Sequence, residues 1–211
     1  MNSIPSLIAK IEELKRSEIS TVVKQRISQF LSLKEKHSKE IFKELCFCIL
    51  TANFSAERSI LIQEKLRDKF LYTDKETLAG YLKKFGHRYP EKRAEYIVSA
   101  RKYMDSIKEI IFSIQEREGK RLWLVKNIKG IGYKEASHFL RNIGFLDYAI
   151  VDFHIIDLLE REGLIKRPKS LTKKKYLQIE SVLKEIASQV CLPVGKLDLY
   201  LWYMETGKVL K

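Results

Sequence analysis

The sequence predicts an all-α protein, on three observations. Leu, Ile, Lys and Glu recur at helical spacings along most of the chain. Only nine glycines and four prolines interrupt 211 residues. Strand-like alternation and the dipeptides that close β-hairpins are absent. Taken in order, helices are expected near residues 6–16, 19–33, 38–52, 55–70 and 75–84. Further helices are expected near 91–113, 117–126, 133–143, 153–162, 173–190 and 194–206. The third holds an apolar stretch, Glu44 to Leu50, with Cys46 and Cys48 inside it. The ninth begins behind Asp152, a residue type suited to accept the unpaired N–H groups of a helix start. No repeat or low-complexity linker divides the chain.

Composition narrows the function classes. No apolar run approaches the roughly 20 residues that span a bilayer, and the start, Met1-Asn2-Ser3-Ile4-Pro5, lacks a secretory layout. A cytoplasmic location is therefore expected, on the nucleoid if the partner is DNA. Cys46, Cys48 and Cys191 contain no CxxC pair, so reduced thiols are expected rather than a disulfide framework or a zinc site. Forty Lys+Arg against 27 Asp+Glu give a formal charge of +13. Such an excess favours a polyanion, because each phosphate neutralised releases condensed counterions. A lysine-rich surface kept for solubility would look the same.

Two basic stretches stand out. Lys166 to Lys175, KRPKSLTKKK, carries six basic residues and no acid, and reads as a solvated face. Lys83 to Arg93, KKFGHRYPEKR, places Phe85 and Tyr89 among cations on a break between helices. A base-stacking or wedge element needs that combination.

The chemistry concentrates in Val125 to Ile156, VKNIKGIGYKEASHFLRNIGFLDYAIVDFHII. Gly130 and Gly132 lie between two helices, with Ile128 and Ile131 to pin the turn to a core. Glycines there permit a tight hairpin, and their amides at a helix N-terminus suit a DNA phosphate. A GxG hairpin alone is common in non-enzymatic DNA binders. Here Lys134 follows it directly and Asp152 lies eighteen residues on. An ammonium beside the positive end of a helix dipole is biased toward the free amine that a nucleophile requires. Asp152 reads as a helix cap, and capping is compatible with catalysis.

The segment resembles the helix-hairpin-helix DNA glycosylase superfamily. KGIGYKEASHFLRNIG together with the tail DLYLWYMETGKVLK resembles its archaeal-type, second-class 8-oxoguanine DNA glycosylases. The resemblance implies an all-α fold of two lobes with the active site in the cleft between them. One lobe, 36–149, would be a helical barrel carrying the hairpin at about 117–143; residues 1–35 and 150–211 would form the other. It implies a bifunctional DNA glycosylase/AP lyase that excises 8-oxoguanine from double-stranded DNA as a monomer. Lys134 would be the amine nucleophile and Asp152 its partner carboxylate. Lys211, Trp202 and Tyr89 would meet the substrate, and Gly130, Gly132, His154, Asn53 and Arg88 the DNA.

The individual roles follow the same resemblance. In this branch the chain ends at a lysine whose carboxylate lies in the base pocket, as Lys211 does in sequence. Oxidation at C8 turns N7 into an N–H donor, which a carboxylate accepts and which guanine lacks. Trp202 would stack on the extruded base, although a core aromatic fits the same apolar helix. His154 matches a phosphate-contacting position, and Tyr89, with Arg88, the wedge. Asn53 matches a residue that fills the hole left by the flipped nucleotide; an ordinary helix C-cap reads equally well. With one cysteine in the C-terminal half, no iron–sulfur cluster is expected, and no other cofactor. The hairpin carbonyls could hold a monovalent cation, as in relatives. The alternatives are a same-fold glycosylase for another lesion and a non-catalytic helix-hairpin-helix module.

Overall fold

In a computed structural model, which describes residues 4–211, the chain is all-α. Residues 1–3, assigned from sequence to the second lobe and to a start without a secretory layout, lie outside the described residues. The helices are α1 (Ile4–Arg16), α2 (Ile19–Lys34), α3 (Ser38–Thr51), α4 (Ala56–Leu66), α5 (Lys69–Tyr72) and α6 (Lys75–Lys84). They continue as α7 (Pro90–Ala100), α8 (Ile107–Ser113), α9 (Arg117–Asn127), α10 (Tyr133–Asn142), α11 (Phe153–Arg161), α12 (Lys173–Gln189) and α13 (Val194–Thr206). No strand occurs among the described residues, and no helix there is long and apolar enough to cross a membrane. Four starts are capped alike: Ser55, Asp74, Asp152 and Thr172 each accept the backbone N–H three residues on. Each such bond is worth about 1 kcal/mol.

Two expected helices are broken, each for a tertiary reason. The run near 55–70 splits at Arg67, whose φ of 43° turns the chain out of α4. Arg101 then donates from Nε to the Phe70 carbonyl at 2.9 Å and from a terminal nitrogen to Thr73 at 2.6 Å, fixing the short α5. The run near 91–113 passes through a single 3-10 turn at Arg101–Tyr103 and restarts as α8. There Ser38 Oγ, from α3, accepts the Lys108 N–H at 3.1 Å and donates to Glu109 at 2.9 Å.

Backbone proximity divides the chain into two compact units, Leu33–Phe139 and Met1–Ser32 with Leu140–Lys211. In the first, α3 is the axis. Ile41, Phe42 and every residue from Leu45 to Leu50 are fully buried, and α4, α5, α7 and α8 pack round it. The stretch 45–50 is apolar on all sides of the helix, which places it at the centre of the unit. Cys46 and Cys48 belong to this core, and burial pushes the Cys46 thiol far above its ordinary range.

The second unit is organised on α13, packed by α1, α11 and α12. Residues 140–149 group with this unit, whereas the sequence expectation put them in the 36–149 lobe. Their side chains explain it. Arg141 pairs with Asp198 at 2.5 Å and lies 4.9 Å over the Phe30 ring, and the Leu146 carbonyl accepts from Gly195 N–H at 2.8 Å. A buried pair of this kind is costly to halve, since either partner alone is left as an uncompensated charge. The basic run at 166–175 is mostly exposed, but Arg167 folds back onto Asp157 and Glu160 of α11.

Candidate functional site

The hairpin sits between α9 and α10. Ile128 and Ile131 are 2% and 5% exposed, which anchors the turn, and Ile131 N–H closes it on the Ile128 carbonyl at 3.3 Å. The two glycines do different work. Gly130 has φ of +81°, a conformation L side chains rarely adopt. An added Cβ there would lie 2.4 Å from the Tyr96 ring, so the turn also needs glycine for close approach. Gly132 has no positive φ; it is the N-cap of α10, and its N–H donates to Glu135 Oε2 at 3.2 Å. That is half of a capping box. Of the two glycines in the hairpin, only Gly130 therefore takes a torsion closed to other residues.

Lys134 is the second residue of α10, one-quarter exposed, with Nζ 3.7 Å from Glu135 Oε1. Its backbone is held by its neighbour. Tyr133 donates its hydroxyl to Glu118 at 2.9 Å, and the fully buried Arg121 guanidinium lies 5.5 Å from the Tyr133 ring and 3.3 Å from Glu118. Glu118 and Arg121 belong to α9, so the two hairpin helices are clamped together at the residue before Lys134.

Arg88, Tyr89 and Asn53 lie on two turns of the same unit. Tyr89 is 37% exposed, with the Arg88 guanidinium 5.0 Å from its ring. Asn53, exposed at φ of 56°, follows the end of α3 in the left-handed region. That conformation matches the helix-terminating reading and leaves the side chain in solvent.

In the other unit, Asp152 caps α11, its Oδ1 accepting from Ile155 N–H at 3.0 Å. His154 follows in the first turn. Its ring stacks on Phe153 at 3.9 Å and meets Trp202 of α13 edge-on at 4.6 Å. Trp202 Nε1 is buried and without a hydrogen-bond partner among the described residues. Gly207, at φ of 70°, ends α13, and Val209 packs against the cluster of Val23, Phe30, Leu199 and Tyr200. That contact fixes the tail two residues before Lys211.

The family model for 8-oxoguanine DNA glycosylase matches residues 23–192. The chain belongs to that family. An 8-oxoguanine DNA glycosylase/AP lyase of Methanocaldococcus jannaschii is 54% identical over 206 residues, covering 97% of this chain and 99% of the relative. The crystal structure of the Methanocaldococcus jannaschii 8-oxoguanine glycosylase/lyase in complex with 15mer DNA containing 8-oxoguanine matches at a TM-score of 0.94 and 53% identity. It covers 97% of this chain and 99% of that one. The crystal structure of the Thermotoga maritima 8-oxoguanine DNA glycosylase matches at 0.92 with 43% identity, covering 99% and 100%.

Several residues that shape this family member's site were not singled out from its sequence. Glu135 had a local signal, a carboxylate three residues after a helix start. Tyr96 against Gly130, and Tyr133 with Glu118 and Arg121, had none, because their partners are distant in sequence. No group of three or more His, Cys, Asp or Glu able to hold a metal ion occurs among the described residues. The Gly130 contact gives a stability prediction. Gly130→Ala should destabilise by about 2–4 kcal/mol, from the left-handed torsion and the ring clash together. In a chain of this size that lowers the melting temperature by roughly 5–15 °C. Tyr96→Ala should recover only the clash portion in the double variant. An unchanged melting temperature for Gly130→Ala would show that the ring does not press on this turn.

Proposed function

We propose that the chain is a bifunctional 8-oxoguanine DNA glycosylase/AP lyase acting as a monomer on double-stranded DNA. The observation that carries the proposal is Lys134 at the second position of α10, behind the Gly130 turn, in a chain of this family. In this reading the Lys134 amine attacks the anomeric carbon of the flipped nucleotide. The glycosidic bond breaks, its electron pair leaves with the protonated base, and the sugar opens to an imine on Nζ. Loss of a C2′ proton then expels the 3′ phosphate and nicks the strand. Asp152 stabilises the positive charge that grows on the sugar ring. The amine supplies the electron pair in the first step and the C2′–H bond supplies it in the second, with the imine as sink, so no step needs an oxidant or reductant.

The remaining roles are proposals of the same kind. The Gly130 turn, Gly132 and His154 face the DNA backbone, while Tyr89 with Arg88 and Asn53 act on the duplex at the lesion. A carbonyl has two lone pairs, so Ile128, already accepting from Ile131, could also meet a monovalent cation; no step depends on it. Trp202 and Lys211 line the base pocket. The unpartnered Trp202 Nε1 supports this, because buried indole N–H groups ordinarily find an acceptor. Trp202→Ala should slow excision by roughly 10–100-fold, the worth of one base–aromatic stack, while Trp202→Phe keeps most of it. Equal rates for wild type and Trp202→Ala would return Trp202 to a plain packing role.

Borohydride trapping tests the whole reading. A duplex with one 8-oxoguanine should give a covalent adduct, and the same duplex with guanine should not. Binding without adduct or released base would favour a non-catalytic DNA-binding module. An adduct only with a different damaged base would mean another lesion.

A further inference from the structure

Two buried side chains outside the hairpin join the Asn53 turn to the Tyr89 loop. His87 is 4% exposed, with Nε2 3.1 Å from the Leu50 carbonyl of α3. Its Nδ1 lies 3.1 Å from the Tyr89 backbone N–H. An amide N–H can only donate, so Nδ1 is the acceptor and the neutral ring carries its proton on Nε2, which donates to Leu50. Phe54, on the far side of Asn53, stacks on the same imidazole at 4.1 Å. Arg93, 7% exposed, donates to the carbonyl of Ala52, the residue before Asn53. Its guanidinium lies 5.7 Å from the Tyr89 ring and 5.8 Å from Tyr96, the ring over Gly130. Burial, with Arg93 nearby, holds His87 below the ordinary histidine range, so the neutral ring this geometry needs is the stable form.

We infer that His87 and Arg93 are positioning residues that brace the Asn53 turn and the Tyr89 loop into one element. The two residues that meet the duplex at the lesion then arrive together. The inference rests on the glycosylase reading above. Its physical basis is that two separately mobile loops must each be ordered on DNA, whereas a braced pair meets that entropy on folding. Neither His87 nor Arg93 need touch the DNA. Both act through backbone groups, Leu50 and Ala52 on one turn and Tyr89 on the other.

The test compares His87→Asn with His87→Gln by single-turnover excision, duplex binding and melting, alongside wild type. Asn places an amide oxygen near the Nδ1 position and can still accept from Tyr89. Gln reaches the Nε2 position and can donate only to Leu50. His87→Asn, which keeps the bond within its own loop and loses the Leu50 tie to the other turn, should excise 8-oxoguanine about tenfold more slowly, the effect of one lost internal hydrogen bond. His87→Gln, which can still donate to Leu50, should recover most of that rate, and both should bind undamaged duplex within about twofold of wild type, since neither changes a phosphate contact. A 2-aminopurine beside the lesion should report slower flipping in the Asn variant. If the Gln and Asn variants slow excision equally, or folded variants both match wild type, the brace is overturned. Should both melt below the assay temperature, Arg93→Lys, which keeps the charge and loses the fork to Ala52, carries the same expected slowing. Failure of the underlying reading is distinct: wild type itself would release no base.

Discussion

Lys134→Gln is expected to abolish the borohydride-trapped adduct and slow excision by about 10⁴-fold or more, the scale of losing a covalent nucleophile. The fold should survive. Lys134 is one-quarter exposed, its nearest ion-pair partner is Glu135 at 3.7 Å, and Gln keeps most of the aliphatic stem. Duplex binding should weaken by no more than the one phosphate contact that a lost cation represents, with a correspondingly shallower salt dependence. Binding and chemistry are therefore expected to separate in this variant. Lys126 and Lys129 flank the same turn and are the natural alternative amines. Lys129 is mostly exposed and lies 3.8 Å from Glu95 on α7. Lys129→Gln should leave the adduct intact and cost only affinity. A full yield of adduct from Lys134→Gln would mean that another amine attacks the sugar.

The positions of these lysines show which part of the site was legible in the sequence. The hairpin is local: Ile128, Gly130, Ile131 and Gly132 fall within five residues, and each residue type has a reason to be where it is. Asp152 was legible for the same cause, since a cap and the N–H it accepts are three residues apart. What was not legible is whatever a distant partner decides. The break between α7 and α8 depends on Ser38, seventy residues from Lys108, and no propensity marks it. His87 and Arg93 appeared only as members of a basic stretch, yet their partners lie 37 and 41 residues away on α3 and its turn. A periodicity argument sees charge there and cannot see that both side chains are buried.

The second basic stretch shows the reverse case. Six cations without an acid between 166 and 175 read as a solvated face, and all six are exposed. Arg167 is exposed but paired, because Asp157 and Glu160 stand one turn apart on α11 and receive it. At half exposure that pairing is worth little stability. It does remove one cation from whatever the stretch offers a polyanion.

Asp152 gives the sharpest separation of structure from chemistry, because one side chain serves both. Its Oδ1 caps α11 through Ile155 N–H at 3.0 Å. Asn is as good a cap as Asp, so Asp152→Asn should leave stability within about 0.5 kcal/mol of wild type, apart from the small helix-dipole contribution of the charge. Asp152→Ala removes the cap as well and should cost about 1 kcal/mol. Excision is expected to fall alike in both, by roughly 10²–10³-fold, as when a group aimed at transition-state charge is lost. Duplex affinity should not fall, because either change deletes a negative charge that a polyanion must approach. The decisive comparison is therefore Asn with Ala: equal losses of rate and unequal melting temperatures. If Asp152→Asn keeps the wild-type rate, the carboxylate is a cap alone and the charge on the sugar must be met by another group.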